Sequence, residues 1–340
     1  MPCRIALGKT ENVSKWKVVV TDYNYAGLEV EKEVLSRWNA DVAGFHCVSP
    51  QEIIEVAKDA DAIISQYAPV TAEVLNTLQN LKAVGRYGIG VDNIDVPAAT
   101  EKGIVVINVP SYCEEEVSDH ALAMLLAWVR KIPHYAVEVR KGIWDWKTGR
   151  PICRLHGKVL GLLGFGKIAG RLAAKAKALG LVIIAHDPYL PEGVFSALGV
   201  KRGGFEELLS QSDFLSIHVP LTKETRHLID AKALSLMKPT ACLINTSRGA
   251  VVDEQALVEA LKRGQLAGAC LDVLEKEPPD AGNELLQMPR VLISPHVAWY
   301  SRVKRELRRK VASDIGRALN GLLPKGLVNS ELASQFKEGD

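Results

Sequence analysis

Short apolar runs recur through the chain, separated by stretches with helical spacing. The first is Lys17-Val18-Val19-Val20-Thr21. Ala62-Ile63-Ile64, Leu81-Lys82-Ala83-Val84, Ile104-Val105-Val106-Ile107, Val159 to Leu163 and Val182-Ile183-Ile184 follow. Phe214-Leu215-Ser216-Ile217, Ala241-Cys242-Leu243-Ile244, Cys270-Leu271-Asp272-Val273 and Val291-Leu292-Ile293 complete the series. Most of these runs are continuously apolar rather than alternating. That is the pattern of a strand buried on both faces, and such strands belong to parallel sheets covered by helices. Strand and helix signals in alternation predict an α/β, doubly wound architecture.

Three stretches stand apart from this alternation. Ser118 to Lys131 is apolar on most sides and predicts a buried helix. Residues 141–157, rich in Gly, Trp and Pro, break the pattern, and a new strand–turn–helix unit starts at Lys158. From Ser301 to Leu319, Val303, Leu307, Val311, Ile315 and Leu319 recur every fourth residue and predict one buried helix face. Arg302, Lys304, Arg305, Arg308, Arg309 and Lys310 are expected on the other face, as a solvated basic surface. Residues 1–15 read as a polar lead-in.

Composition narrows the class. The 340 residues suit about two domains, and 47% hydrophobic and 24% charged residues are ordinary for a globular chain. With 42 Lys+Arg against 40 Asp+Glu the formal net charge is +2, which argues against a nucleic-acid partner. No apolar run is long enough to span a bilayer, and Met1-Pro2-Cys3-Arg4 opens no signal-peptide apolar region, so the expected location is cytoplasmic with no membrane partner. Cysteines 3, 47, 113, 153, 242 and 270 make no Cys-x-x-Cys pair, so reduced thiols and no metal site are expected.

The strand-like run from Val159 leads into Gly164-Phe165-Gly166-Lys167-Ile168-Ala169, which opens a helical stretch. This spacing suits a dinucleotide turn. The first Gly permits the turn, the second lets backbone N–H groups approach a pyrophosphate, and the small third residue lets helix pack on strand. Asp187 ends the next strand about 20 residues on, where a carboxylate binds the ribose hydroxyls. It would repel a 2′-phosphate and no Arg follows it directly, so NAD(H) is expected over NADP(H).

Three other strand-like runs end in chemistry-bearing segments: Asn245-Thr246-Ser247-Arg248-Gly249, Asp272 to Pro278, and Ser294-Pro295-His296. In a doubly wound sheet such ends converge on a ligand crevice. Together with the Gly motif, Asp187 and Gly88-Ile89-Gly90-Val91-Asp92-Asn93-Ile94-Asp95, these segments resemble the D-isomer-specific 2-hydroxyacid dehydrogenases over roughly residues 60–320. His186 to Leu190 and His296 to Ser301 are most similar to the C-terminal-binding-protein branch of that family.

The resemblance implies two Rossmann/flavodoxin-like doubly wound domains. An NAD-binding domain, residues 111–299, is inserted into a discontinuous substrate domain, residues 1–110 and 300–340. It implies a small 2-keto or 2-hydroxy acid substrate and hydride transfer between nicotinamide and C2. Arg248 would grip the substrate carboxylate, a task suited to a guanidinium. His296 would donate the proton, and Glu277 would pair with and orient its ring. Glu275 is the competing carboxylate. Phe165, Lys167, Ile168, Val219, Pro220, Thr225, Thr246, Ser247, Asp272 and His296 match cofactor positions, with Asp272 open to a structural role. Ile89 and Gly90 would hold the carboxylate through backbone N–H groups, and Arg86 and Trp299 would shape substrate choice. His218, also at a strand end, reads as a residue that does no more than close its strand with a hydrogen bond.

Departures from relatives refine this. Ala169 stands where many members have Gly. Ile89 replaces the Lys of phosphite-oxidising relatives, and Glu277 replaces the Gln of formate dehydrogenases; both argue against those substrates. A second enzyme reading is D-3-phosphoglycerate dehydrogenase. From another class, the branch resemblance implies an NAD(H)-sensing, corepressor-like interaction module. A homodimer is expected from the resemblance and from the apolar surface of the Ala121–Val129 stretch, Trp144 and Trp146.

Overall fold

The computed structural model describes residues 15–338. Cys3, the Met1–Arg4 reading and all but the last residue of the lead-in lie outside the described residues. The chain divides into two compact units: residues up to Tyr112 with those from Arg302 onward, and Cys113–Ser301.

The first unit holds β1 (Trp16–Val20), β2 (Ala40–Gly44), β3 (Ala62–Ser65), β4 (Ala83–Arg86) and β5 (Val105–Ile107), all parallel, in the order β2-β1-β3-β4-β5. Alternate side chains feed two cores. Val18, Val20 and Ile64 enter one, Val19, Ile63 and Val84 the other. Burial on both faces is why these strands carry no polar alternation.

The second unit holds β6 (Val159–Leu163), β7 (Val182–His186), β8 (Lys201–Arg202), β9 (Phe214–Ile217), β10 (Cys242–Asn245), β11 (Gly268–Leu271) and β12 (Val291–Ile293). These are also parallel, in the order β12-β11-β10-β9-β6-β7-β8. The predicted α/β, doubly wound class is therefore the fold of both units. In the second, the chain winds outward from β6 through β7 to β8, then returns to β9 on the other side of β6. This switch opens a crevice at the carboxyl ends of the strands.

Two strands were not legible as apolar runs. β2 is an edge strand that buries Ala40 and leaves Asp41, Ala43 and Gly44 exposed, and β8 is an exposed Lys-Arg pair. The helix predicted at Ser118 spans Glu114–Arg130, and it is not covered on most sides. Val117, Ala121, Met124, Leu125 and Val129 are buried, whereas Ala123 is exposed and Leu122, Leu126 and Trp128 are half-buried.

The basic face also differs from expectation. In the Lys304–Leu319 helix, Leu307, Val311, Ile315 and Leu319 are buried as predicted. Arg308, however, is buried rather than solvated. Its Nε lies 2.7 Å from Glu31 Oε1, Nη2 donates to Glu31 Oε2 and to Gly27 O, and the guanidinium covers the Tyr25 ring at 4.5 Å. Glu31 is fully buried and also accepts from Tyr87 Oη at 2.9 Å. Cys47, Cys113, Cys242 and Cys270 are buried free thiols, and Cys153 is an exposed one.

Candidate active site

The glycine turn between β6 and the Lys167–Ala178 helix is shaped by backbone constraints. Gly164 has φ +84°, and a Cβ there would meet Val219 Cγ1 at 2.9 Å and the His218 carbonyl at 3.0 Å. At Gly166 a Cβ would meet nothing within 4 Å, so the space over the helix start is open. Gly166 caps that helix without a side-chain bond, and the first-turn N–H groups have no intrahelical acceptor. Open space over such donors suits an anionic group such as a pyrophosphate.

Asp187 follows β7 and faces this turn. Its Oδ2 accepts from Phe165 N at 3.0 Å and its Oδ1 from Tyr189 N at 3.0 Å. Phe165 contributes only its backbone, because its ring is buried and stacked on Phe195 at 5.0 Å. Lys167 is exposed and Ile168 half-buried. Across the crevice, the Thr225 hydroxyl donates to Pro220 O at 2.6 Å and accepts from Thr222 N at 2.7 Å, folding the 220–225 loop on itself. The Thr246 hydroxyl is buried with no hydrogen-bond partner among the described residues, which suits a position facing a bound polar group. Among these residues the turn, Asp187 and the Thr246 hydroxyl fit a dinucleotide.

Arg248, Glu277 and His296 rise from the ends of three neighbouring strands, β10, β11 and β12. Asn245, 1% exposed, sets the first: its Oδ1 accepts from Ser247 N and Oγ, and its Nδ2 donates to Arg248 O at 2.9 Å. Arg248 Nη1 donates to Ser247 O at 2.8 Å. Gly249 then brings this segment onto the next, since a Cβ there would lie 1.9 Å from the Leu274 carbonyl carbon. Glu277 Oε1 accepts from Leu274 N at 3.0 Å, leaving Oε2 for His296 Nδ1 at 2.6 Å. The competing Glu275 bonds His227 Nε2 instead, at 2.6 Å.

His296 occupies the left-handed region at φ 50°. Its N–H donates to Asp272 O at 2.7 Å, and its carbonyl accepts the Trp299 indole N–H at 3.0 Å. Asp272 is 1% exposed. Its carboxylate accepts from Val297 N and Ala298 N, each at 2.9 Å, and from Ser294 Oγ at 2.5 Å. Burial alone would push this carboxyl up, but the hydrogen bonds outweigh it and hold the group below the usual range. Asp272 thus lies beneath the His296 segment, with both carboxylate oxygens accepting bonds from it. Burial drives His218 the other way, down to about 4, and its Nε2 lies 2.9 Å from Ser216 Oγ.

Residues 122–298 match the family model for the D-isomer specific 2-hydroxyacid dehydrogenase NAD binding domain. The chain is 41% identical over 290 residues to a glyoxylate reductase of Korarchaeum cryptofilum, covering 84% of this chain and 87% of that protein. The chain belongs to the D-isomer-specific 2-hydroxyacid dehydrogenase family. It is also 40% identical over 295 residues to a D-3-phosphoglycerate dehydrogenase of Methanocaldococcus jannaschii, covering 86% of this chain and only 56% of that longer protein. A D-lactate dehydrogenase of Aquifex aeolicus, solved with NAD and lactic acid, superimposes with a TM-score of 0.82 at 29% identity. That match covers 89% of this chain and 96% of the other.

Arg86, Ile89 and Gly90, the other residues expected to contact a substrate, lie in the first unit. Arg86 ends β4 and packs its guanidinium over Gly88, where φ is +152° and a Cβ would meet Nη1 at 1.3 Å. Ile89 O accepts from Asn108 Nδ2 at 2.6 Å, and Ile89 and Gly90 are half-buried. Asp22, which the sequence analysis missed, braces the neighbouring β3 end by accepting from Gln66 N at 2.9 Å and Tyr67 N at 2.6 Å. Also missed were Asn245, Ser294 and His120 as supports of the second unit's cluster. His120 gave one signal: it is an imidazole directly before the continuously apolar Ala121–Val129 stretch of its helix.

Proposed function

We propose that the protein is an NAD(H)-dependent D-2-hydroxyacid dehydrogenase that reduces a small 2-keto acid. The observation that carries this reading is the convergence of Arg248, Glu277 and His296 on adjacent strand ends of the unit that also holds the glycine turn and Asp187. The unit comprising residues 113–301 is the cofactor domain, and the other is the substrate domain. Bound NADH supplies the hydride that reaches the carbonyl carbon, C2.

The chain's residues do the rest. Arg248 binds the substrate carboxylate bidentately and its charge polarises the adjacent carbonyl. Glu277 accepts the Nδ1–H of His296, which fixes the ring and leaves Nε2 to deliver its proton to the oxygen at C2 as negative charge develops there. The product is the 2-hydroxy acid, and the neutral imidazole takes up a proton before the next turnover. Ile89 and Gly90 assist through their N–H groups. Arg86 offers a second cation for a substrate with two anionic groups, as 3-phosphohydroxypyruvate has.

The active form is a homodimer in this proposal. Ile132, Val137, Val139, Ile143 and Trp144 are exposed on one stretch of the second unit, Trp144 at 90%. That much apolar surface is better covered by a second copy. The near-neutral charge supports a small-molecule substrate rather than a nucleic acid, and a cytoplasmic location is part of this proposal. Among the described residues no helix is long and apolar enough to cross a membrane. The test is a panel of glyoxylate, pyruvate and 3-phosphohydroxypyruvate with each reduced nicotinamide. NADH oxidation with at least one acid supports the reading, whereas tight NADH binding without turnover on any would favour the interaction-module alternative.

A further inference from the structure

His120 points its Nε2 at Ser294 Oγ, 2.9 Å away, with Asp272 Oδ1 at 3.4 Å. The Ser294 hydroxyl has a single proton, and its 2.5 Å contact to the buried Asp272 carboxylate engages that proton. His120 must therefore be the donor, which sets the order Nε2–H to Ser294 Oγ–H to Asp272 Oδ1. At the far end, Asp272 receives the N–H groups of Val297 and Ala298 through its carboxylate and that of His296 through its carbonyl. These three consecutive N–H groups brace His296 at its positive φ, a conformation uncommon for a non-glycine residue.

We propose that His120 is a positioning residue for the proton donor. Through Ser294 and Asp272 it ties the Glu114–Arg130 helix to the loop carrying His296, keeping Nδ1 on Glu277. The inference rests on the function proposed above and adds a residue to it that touches neither substrate nor cofactor. Its chemistry demands an N–H donor of the right length at position 120. Gln places a side-chain N–H near where His places Nε2, whereas Leu fills the space with no donor.

The test uses the full chain with His120→Leu, His120→Gln, Ser294→Ala and Ser294→Thr. His120→Leu and Ser294→Ala should lower kcat by about 10-fold, the scale of a small misplacement of a reacting group, with the keto-acid KM and NADH Kd within about twofold of the parent. His120→Gln and Ser294→Thr should retain about half of the parental kcat or more. The strongly downfield N–H proton of the His296–Glu277 bond should be seen by NMR in the parent and His120→Gln and be broadened away in His120→Leu. An unchanged kcat in both His120→Leu and Ser294→Ala, or an NADH affinity that falls in step with kcat, would overturn the proposal. If the parent turns over no keto acid, the proposed reaction fails, while the NMR signal still decides whether His120 positions His296.

Discussion

Glu277 divides its carboxylate between two tasks: Oε1 accepts the Leu274 N–H at 3.0 Å, and Oε2 meets His296 Nδ1 at 2.6 Å. The first bond fixes the second, because a carboxylate pinned to its own loop presents one oxygen in one direction. Glu277→Gln keeps the shape and removes the charge. It should lower kcat by about 10-fold or more, the scale of impaired general acid catalysis, with NADH affinity nearly unchanged. Steady-state kinetics beside a calorimetric NADH titration checks this. Unaltered turnover would remove Glu277 from the reaction.

Asp187 should discriminate between nicotinamides. Its carboxylate lies beside the glycine turn, held by the Phe165 and Tyr189 N–H groups. Asp187→Ala removes both the acceptor for ribose hydroxyls and the repulsion toward a 2′-phosphate. The ratio of NADPH to NADH dissociation constants should narrow by about 10-fold, corresponding to about 1.4 kcal/mol. Calorimetry with both cofactors reads it directly, and an unchanged ratio would exclude the role.

In the first unit the buried Glu31–Arg308 pair offers a stability test. Arg308→Met leaves the enclosed Glu31 carboxyl without its guanidinium partner and should cost about 3–5 kcal/mol. The double variant Glu31→Leu/Arg308→Met removes the buried charge as well and should regain most of that loss. Urea denaturation of the three proteins measures both. A double variant as unstable as the single would point to packing of the Arg308 stem as the main contribution.

Burial lowers His218 to about 4 against an ordinary value of 6.5. Above pH 6.5 the imidazole is neutral whether the chain is folded or unfolded. Between 6.5 and about 4 the unfolded chain binds a proton that the folded chain refuses. Stability is therefore lost as pH falls through this window, by at most about 3 kcal/mol from this group. His218→Asn should lessen the drop in urea midpoint between pH 7 and pH 5, and an equal drop in both proteins would contradict the assignment.

The strands buried on both faces were legible because they are almost wholly apolar, as Ala62-Ile63-Ile64 and Val159 to Leu163 illustrate. β2 was hidden because an edge strand tolerates Asp41 and Gly44, and β8 because two exposed basic residues carry no periodicity. Arg308 was misread because helical spacing reports which face a residue occupies, not whether an acid waits opposite, and Glu31 lies far away in the chain. The glycine turn and the three strand-end segments were visible since each is local in sequence. Their supports were not: whether Glu275 or Glu277 meets His296, and what His120 and Asp272 hold, depends on loops brought together only by the fold.

The most direct test of the account is the effect of His296→Ala on NADH-dependent reduction of the best keto acid, with NADH binding measured on the same preparation. The account predicts a fall in kcat of about 100-fold or more with the NADH dissociation constant within about twofold of the parent. Full activity in His296→Ala would contradict it.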